Sequence, residues 1–347
     1  VYFRLDDLRV VEPLSWLLSC GRRGAPTWPT DTTSWIVLVD YVEANGLGSV
    51  FARQLTKRGP QPPAELQRRL EQLDRDMSAT ARVSLEQARL VGDMLRVAQV
   101  PFYWLKGVAW GDSLYRNLGT RPMRDLDFLV PERFLQPACE VLEALGYRTD
   151  ALAGLAGHHL PRFTHSSGTK IDVHHRIVPQ RIYGFPVQDP RVPWSPSNGI
   201  VGEDSNSLNT LFHLAHMVVH VFHHSFYNLR LMHLFDIRLA LGTWGTPASD
   251  VVEVASRSIP RRVALDVLGL CDELFDLGGD FRHYAGRRSS GGLIRNGSMP
   301  LGYPVTRVPR LAVLPAIMKA EFERGFFVLR RAPGRFGRPP AKLHPPS

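Results

Sequence analysis

The run Asp125-Leu126-Asp127-Phe128-Leu129-Val130 constrains the fold more than any other stretch of the chain. Side chains alternate between faces along a β-strand, so Asp125 and Asp127 point one way while Leu126 and Phe128 turn into a core. Two carboxylates then converge on one point. Their repulsion calls for a cation, and hard oxygen ligands select Mg²⁺ or Mn²⁺ over zinc. Further on, Asp172 stands between Ile171 and Val173 in a second predicted strand, which sends its carboxylate away from two apolar neighbours. Three acids on adjacent strands can hold two metal ions ~4 Å apart, and a metal lowers the pKa of an attacking hydroxyl. Asp172 is the expected activator of that hydroxyl. A lone Asp-x-Asp is more often a solvated strand edge or loop, and only the ordered set gives it weight.

The segment around these acids predicts a compact α/β unit. Phe102–Leu105 reads as a strand, Val108–Asn117 as a helix, Asp125–Val130 as a strand, then a helix from Pro131 to before Gly146 and a strand at Tyr147–Thr149. Arg162–His165 and Lys170–His174, joined by Ser166-Ser167-Gly168-Thr169, have the form of a hairpin. Lys106-Gly107 falls where the first strand meets the first helix. Free backbone N–H groups and the positive end of a helix attract phosphate there, and Gly107 permits close approach. Arg121 and Arg124 are expected to meet phosphate oxygens or departing pyrophosphate, with charge neutralisation of Asp125 as the plainer role.

Helical patterns flank this unit. Leu66, Leu70, Leu73, Met77, Leu85, Ala88, Met94 and Leu95 recur at roughly helical intervals between Pro63 and Ala98, predicting a scaffold helix broken at most once. Residues 1–60 read as helix, loop, helix, with the turn-rich Gly21–Thr33 between. After a Pro-rich connection, Pro179–Pro196, helices are expected from near Ser207 through His233 and Leu239 and over Val263–Leu277. The fold class is therefore α+β: a small mixed β-sheet core (99–178) with N-terminal (1–98) and C-terminal (179–280) helical regions, and a tail (281–347).

Charge separates the tail from the rest. The net +9 is uneven: residues 282–347 hold 13 Lys and Arg against Glu321 and Glu323, a net +11, which leaves 29 basic against 31 acidic residues, a net −2, in residues 1–281. A near-neutral body favours a small-molecule or protein acceptor over a long nucleic acid, which only the Pro/Arg-rich tail is suited to touch. Arg331–Ser347 lacks the apolar residues for a core and is expected to be disordered. Cys20, Cys139 and Cys271 are odd in number and widely spaced, against both a disulfide framework and a thiolate zinc site, so a cytoplasmic location is expected. Leu211–Phe222 is too short to cross a bilayer. No basic-then-apolar leader opens the chain, and its first residue is Val1, which suggests a missing or alternative start.

Leu105-Lys106-Gly107, Tyr115, Arg121, Asp125-Leu126-Asp127-Phe128-Leu129-Val130 and Ile171-Asp172-Val173-His174 together resemble the uncharacterised nucleotidyltransferase family of bacteria, within the DNA polymerase β-like superfamily. The resemblance covers roughly residues 65–245. It implies transfer of a nucleoside monophosphate from an NTP, with ATP the first candidate, to an unidentified acceptor, with Asp125, Asp127 and Asp172 as the metal-binding acids. The superfamily commonly places Gly-Ser at the phosphate turn. Here Lys106-Gly107-Val108 stands instead, so the serine contact is absent and Lys106 takes its place. A chain of this fold that binds nucleotide without turnover, or serves as an antitoxin-like partner, is the alternative.

His213, His216, His220, His223 and His224 recur at three- and four-residue spacings, so most share one helical face. His-Glu-x-x-His is absent, and lining a cleft opposite the sheet explains them better than metal ligation. His174 is expected either to orient Asp172 or to be merely a polar strand residue, and His216 and His220 to stand behind the carboxylates. Asp236 is expected in a surface pair with Arg230 or Arg238, and Tyr103 and Trp104 in the core beneath the site.

Overall fold

The computed structural model describes residues 2–4, 13, 26–115, 119–149, 158–177, 181–182, 185–186, 207–224, 230–275 and 298–300. Its elements run β1 (Tyr2–Arg4), α1 (Thr32–Ala44), α2 (Gly48–Arg58), α3 (Ala64–Val97), β2 (Tyr103–Leu105), α4 (Lys106–Tyr115), β3 (Leu126–Leu129), a 3-10 turn (Glu132–Phe134) and α5 (Leu135–Ala144). Then follow β4 (Arg148–Thr149), β5 (Phe163–Thr164), β6 (Lys170–His174), β7 (Arg181–Ile182), β8 (Phe185–Pro186), α6 (Ser207–His224), α7 (Leu231–Trp244), α8 (Ala248–Ala255), α9 (Arg261–Phe275) and β9 (Ser298–Pro300). The expected first helix, the Pro-rich connection beyond its short β7–β8 ribbon, and the Arg331–Ser347 tail lie outside the described residues.

A five-stranded sheet in the order β2-β3-β6-β5-β4 forms the centre. It is mixed: β3 runs parallel to β6 and antiparallel to β2, while β5 is antiparallel to both β6 and β4. The α+β expectation holds. The predicted hairpin is present as β5 and β6, with Gly168 at φ +84° in its turn, where the absence of a Cβ removes the steric cost. The predicted scaffold helix is one unbroken element of 34 residues.

Period-2 patterning decides which face of the sheet meets which core. Leu126, Phe128 and Val130 are buried beneath the sheet with Ile171 and Val173, packed on Val91 and Leu95 of α3 and on Ala138 and Leu142 of α5. Phe102, Trp104 and Phe128 pack edge to face there. Burying each such side chain is worth roughly 1.5–3 kcal/mol, so the alternation locks the register and commits Asp127 to the opposite face. A second core unites α1, α2 and the start of α3 with α6 to α9, and takes in Tyr103 and Leu105 of β2. Tyr103 and Trp104 are buried, as expected.

Helix ends have local causes. Asp31 caps α1 by accepting from the Ser34 N–H at 2.8 Å, which satisfies one of the amides a helix start leaves open. The turn between α1 and α2 is tied to the start of α7, because the Leu231 N–H donates to Asn45 Oδ1 at 3.2 Å. No helix among the described residues is long and apolar enough to cross a membrane. Cys139 and Cys271 are free thiols.

Candidate functional site

β3 and β6 lie side by side with Asp127 opposite Asp172 in register. Parallel neighbours place matched residues on one face, so the two carboxylates meet above the sheet, and Asp125 follows from the bend just before β3. All three line one cavity of about 440 Å³ between the sheet and the helices, together with Lys106 and Gly107. The predicted acids are thus brought together.

Each is engaged by a cation. Asp127 Oδ1 accepts from Lys106 Nζ at 2.8 Å and from His174 Nε2 at 2.9 Å. Burial acts to raise the Asp127 pKa, but the Lys106 charge and the His174 hydrogen bond overcome it and hold the carboxyl well below the usual range. Arg162 grips Asp172 with two bonds, Nε to Oδ1 at 2.8 Å and Nη2 to Oδ2 at 2.6 Å, and Nη2 also reaches Asp125 Oδ2 at 2.9 Å. Asp125 has a raised pKa, through desolvation first and the neighbouring Asp127 charge second. Among the described residues no group of three or more His, Cys, Asp or Glu side chains is arranged to hold a metal ion as it stands. Arg162 and Lys106 engage four of the six oxygens of the three acids: Asp127 Oδ1, both of Asp172, and Asp125 Oδ2.

The strand-to-helix junction is tighter than expected. α4 begins directly at Lys106, whose φ of +49° is left-handed, a conformation costing about 1–2 kcal/mol in a residue with a side chain. This conformation accompanies the side chain's reach to Asp127. At Gly107 an added Cβ would stand 2.6 Å from Arg121 Nη1 and 2.8 Å from Met123 Cγ. Its smallness therefore admits the chain's own 121–123 segment, a different reason from the close phosphate approach expected.

Arg121 is corrected. It is buried, and Nε and Nη2 bind Asp236 at 3.1 and 2.8 Å, while Nη1 donates to the Pro122 carbonyl at 3.3 Å. Tyr115 Oη donates to Asp236 Oδ1 at 2.6 Å, its pKa raised well above the usual value by burial and then by the Asp236 charge. Asp236 is fully buried, so the expected surface pair with Arg230 or Arg238 is replaced by a bond between α7 and the site's floor. The Arg121 guanidinium lines the cavity while committed to Asp236, so charge compensation within the fold is the role its geometry displays. Arg124 is exposed on the cavity rim, and Asp125 finds its partner in Arg162 instead.

His174 is corrected as well: it bonds Asp127 rather than Asp172. Burial lowers its pKa, against the opposing pull of Asp127. A neutral ring donating from Nε2 leaves Nδ1 as an acceptor, and that atom is buried without a partner among the described residues. His216, His220 and His223 line the cavity as the spacing implied, whereas His213 turns to Trp110, accepting from its Nε1 at 3.2 Å. The His224 side chain lies outside the described residues. Sequence reasoning passed over Arg162, His158 and His159. Burial and neighbouring histidines, His174 foremost, push His158 down to about 2, so it stands neutral on the wall.

A mixed sheet carrying paired acids beside a Lys-Gly turn, capped by helices, defines the class of a nucleotidyltransferase core. The family model of an uncharacterised nucleotidyltransferase matches residues 31–276, well over half of the chain, and the protein belongs to that family. The match extends beyond the span of the resemblance at both ends. No curated protein and no solved structure gives a match.

Proposed function

We propose that the protein transfers a nucleoside monophosphate from an NTP, ATP being the first candidate, to a small-molecule or protein acceptor and releases pyrophosphate. The observation that carries this reading is the in-register pairing of Asp127 with Asp172, with Asp125 beside them on the same cavity. The donor set suits a hard divalent cation, since all three acids offer oxygens and the Arg162 guanidinium marks a point where Asp125 and Asp172 already share a positive charge. Asp125, Asp127 and Asp172 would hold Mg²⁺ or Mn²⁺. Bound there, the metal would offset the triphosphate's charge and polarise the phosphate under attack.

The chain's own groups supply the rest. Lys106 and the first amides of α4 face the cavity where a triphosphate would lie. Arg162, drawn off the carboxylates by a competing cation, is placed to meet phosphate oxygens. Asp172 accepts the proton of the attacking acceptor group. His174 fixes the rotamer of Asp127, and the neutral imidazoles of His158 and His216 leave the wall uncharged.

Incubating the protein with Mg²⁺, each α-labelled NTP and cell extract tests the reading: label should enter a product, with pyrophosphate released, and Asp127→Ala should abolish it. Label transfer that survives the substitution contradicts the proposal. One observation favours a second reading, nucleotide binding without turnover: every carboxylate of the set already has an internal cation. It predicts a calorimetric nucleotide signal with no pyrophosphate and a stable complex with a co-expressed protein.

A further inference from the structure

Two arginines of the cavity stand apart from its other cations. Lys106 is paired with Asp127, Arg162 with Asp125 and Asp172, and Arg121 with Asp236. Arg124 and Arg230 line the same cavity and enter no ion pair with any described residue. Arg124 comes from the bend before β3, and Arg230 from the N-cap of α7, on the helical wall. His158 and His216 line the same cavity, and burial holds them neutral, so they add no further positive charge. Desolvation first, then the charge of Arg124, lowers the Arg230 pKa, so the half-buried Arg230 lies within electrostatic reach of the exposed Arg124. Such an arrangement is unfavourable until an anion enters.

We propose that Arg124 and Arg230 form an anion subsite for a phosphate monoester carried by the acceptor. Two unpaired guanidinium groups match a dianion, whereas a single carboxylate would neutralise only one, and the planar fork of arginine suits phosphate oxygens. The nucleotide's own phosphates have a separate destination, the Lys106-Gly107 turn and the carboxylate cluster on the sheet side. Arg230 comes from the helical region, apart from the strands that carry Asp127 and Asp172. The phosphate acts as a handle that orients the acceptor. Assigning the anion to the acceptor rests on the nucleotidyl-transfer reading, while the subsite itself does not.

Titration calorimetry of the full chain with phenyl phosphate as the probe tests this, with and without saturating Mn²⁺ and a non-hydrolysable ATP analogue. Phenyl phosphate is expected to bind in both states, and about tenfold more weakly to Arg230→Gln and to Arg124→Gln, since each substitution removes one charge-assisted hydrogen-bond donor to the phosphate. Affinity of Arg230→Gln for the ATP analogue should stay within about twofold of the parent. Arg124 is exposed, so its variant carries the test should Arg230→Gln unfold. Equal phenyl phosphate affinity in the parent and the variants overturns the subsite. Exclusion of phenyl phosphate by the ATP analogue, with an analogue affinity about tenfold lower in Arg230→Gln, overturns the acceptor assignment and gives the pair to the nucleotide. If the analogue does not bind at all, the nucleotidyl-transfer reading fails, and the titration without nucleotide still decides the subsite.

Discussion

Arg121 on the segment leading into β3 and Asp236 on α7 form a buried ion pair, Nη2 to Oδ2 at 2.8 Å, that ties the helical region to the floor of the carboxylate cavity. Tyr115 of α4 completes it through Asp236. Removing one partner of a buried pair leaves the other charge without compensation, at about 3–5 kcal/mol. Asp236→Ala should lower stability in urea unfolding by that amount, and Tyr115→Phe by only about 1 kcal/mol. Equal and small losses in both would mean that the pair carries little.

Gly107→Ala is expected to be destabilising by about 1–3 kcal/mol, as overpacking in a tight core is. The new Cβ meets Arg121 Nη1 at 2.6 Å, so the strain should pass to the Arg121–Asp236 bond. A double-mutant cycle of Gly107→Ala with Asp236→Asn would read the coupling, and strict additivity would contradict it.

Arg162 and a divalent cation compete for Asp125 and Asp172. In nucleotide-free protein, Arg162→Ala should bind Mn²⁺ about tenfold more tightly, measured by electron paramagnetic resonance, because the internal cation no longer opposes it. Unchanged or weaker Mn²⁺ binding would remove Arg162 from the competition.

Burial lowers the His213 pKa to about 4 from the ordinary 6.5. The unfolded chain therefore binds a proton that the folded chain refuses between these values, so stability is full above pH 6.5 and falls as pH drops toward 4. His213→Gln retains an acceptor for the Trp110 N–H without the titration. Its stability-against-pH slope in that window should be shallower by about 1.4 kcal/mol per pH unit, one proton's worth. Identical slopes would show His213 to be protonated normally.

Much of the centre was legible because it depends on local periodicity. The alternation of Asp125 and Asp127 with Leu126 and Phe128 sets faces directly, the hairpin follows from its turn residues, and α3 follows from its leucine spacing. What escaped depends on distance along the chain. Arg121 and Asp236 are 115 positions apart, and nothing near either residue announces the other. Arg162 was visible as a strand-edge residue, but its reach to Asp172 follows from the β5–β6 register and to Asp125 from the β3–β6 pairing. The histidine spacing gave the helix face correctly for His216, His220 and His223, while His158 and His159 join them only through tertiary packing.

The most direct test of the central claim is anomalous diffraction from crystals grown with Mn²⁺ and a non-hydrolysable ATP analogue. The account predicts manganese density bridging Asp125, Asp127 and Asp172, with the triphosphate against Lys106 and Arg162 drawn away from Asp172. Analogue bound without manganese, or Arg162 still gripping Asp172 under saturating metal, would contradict it.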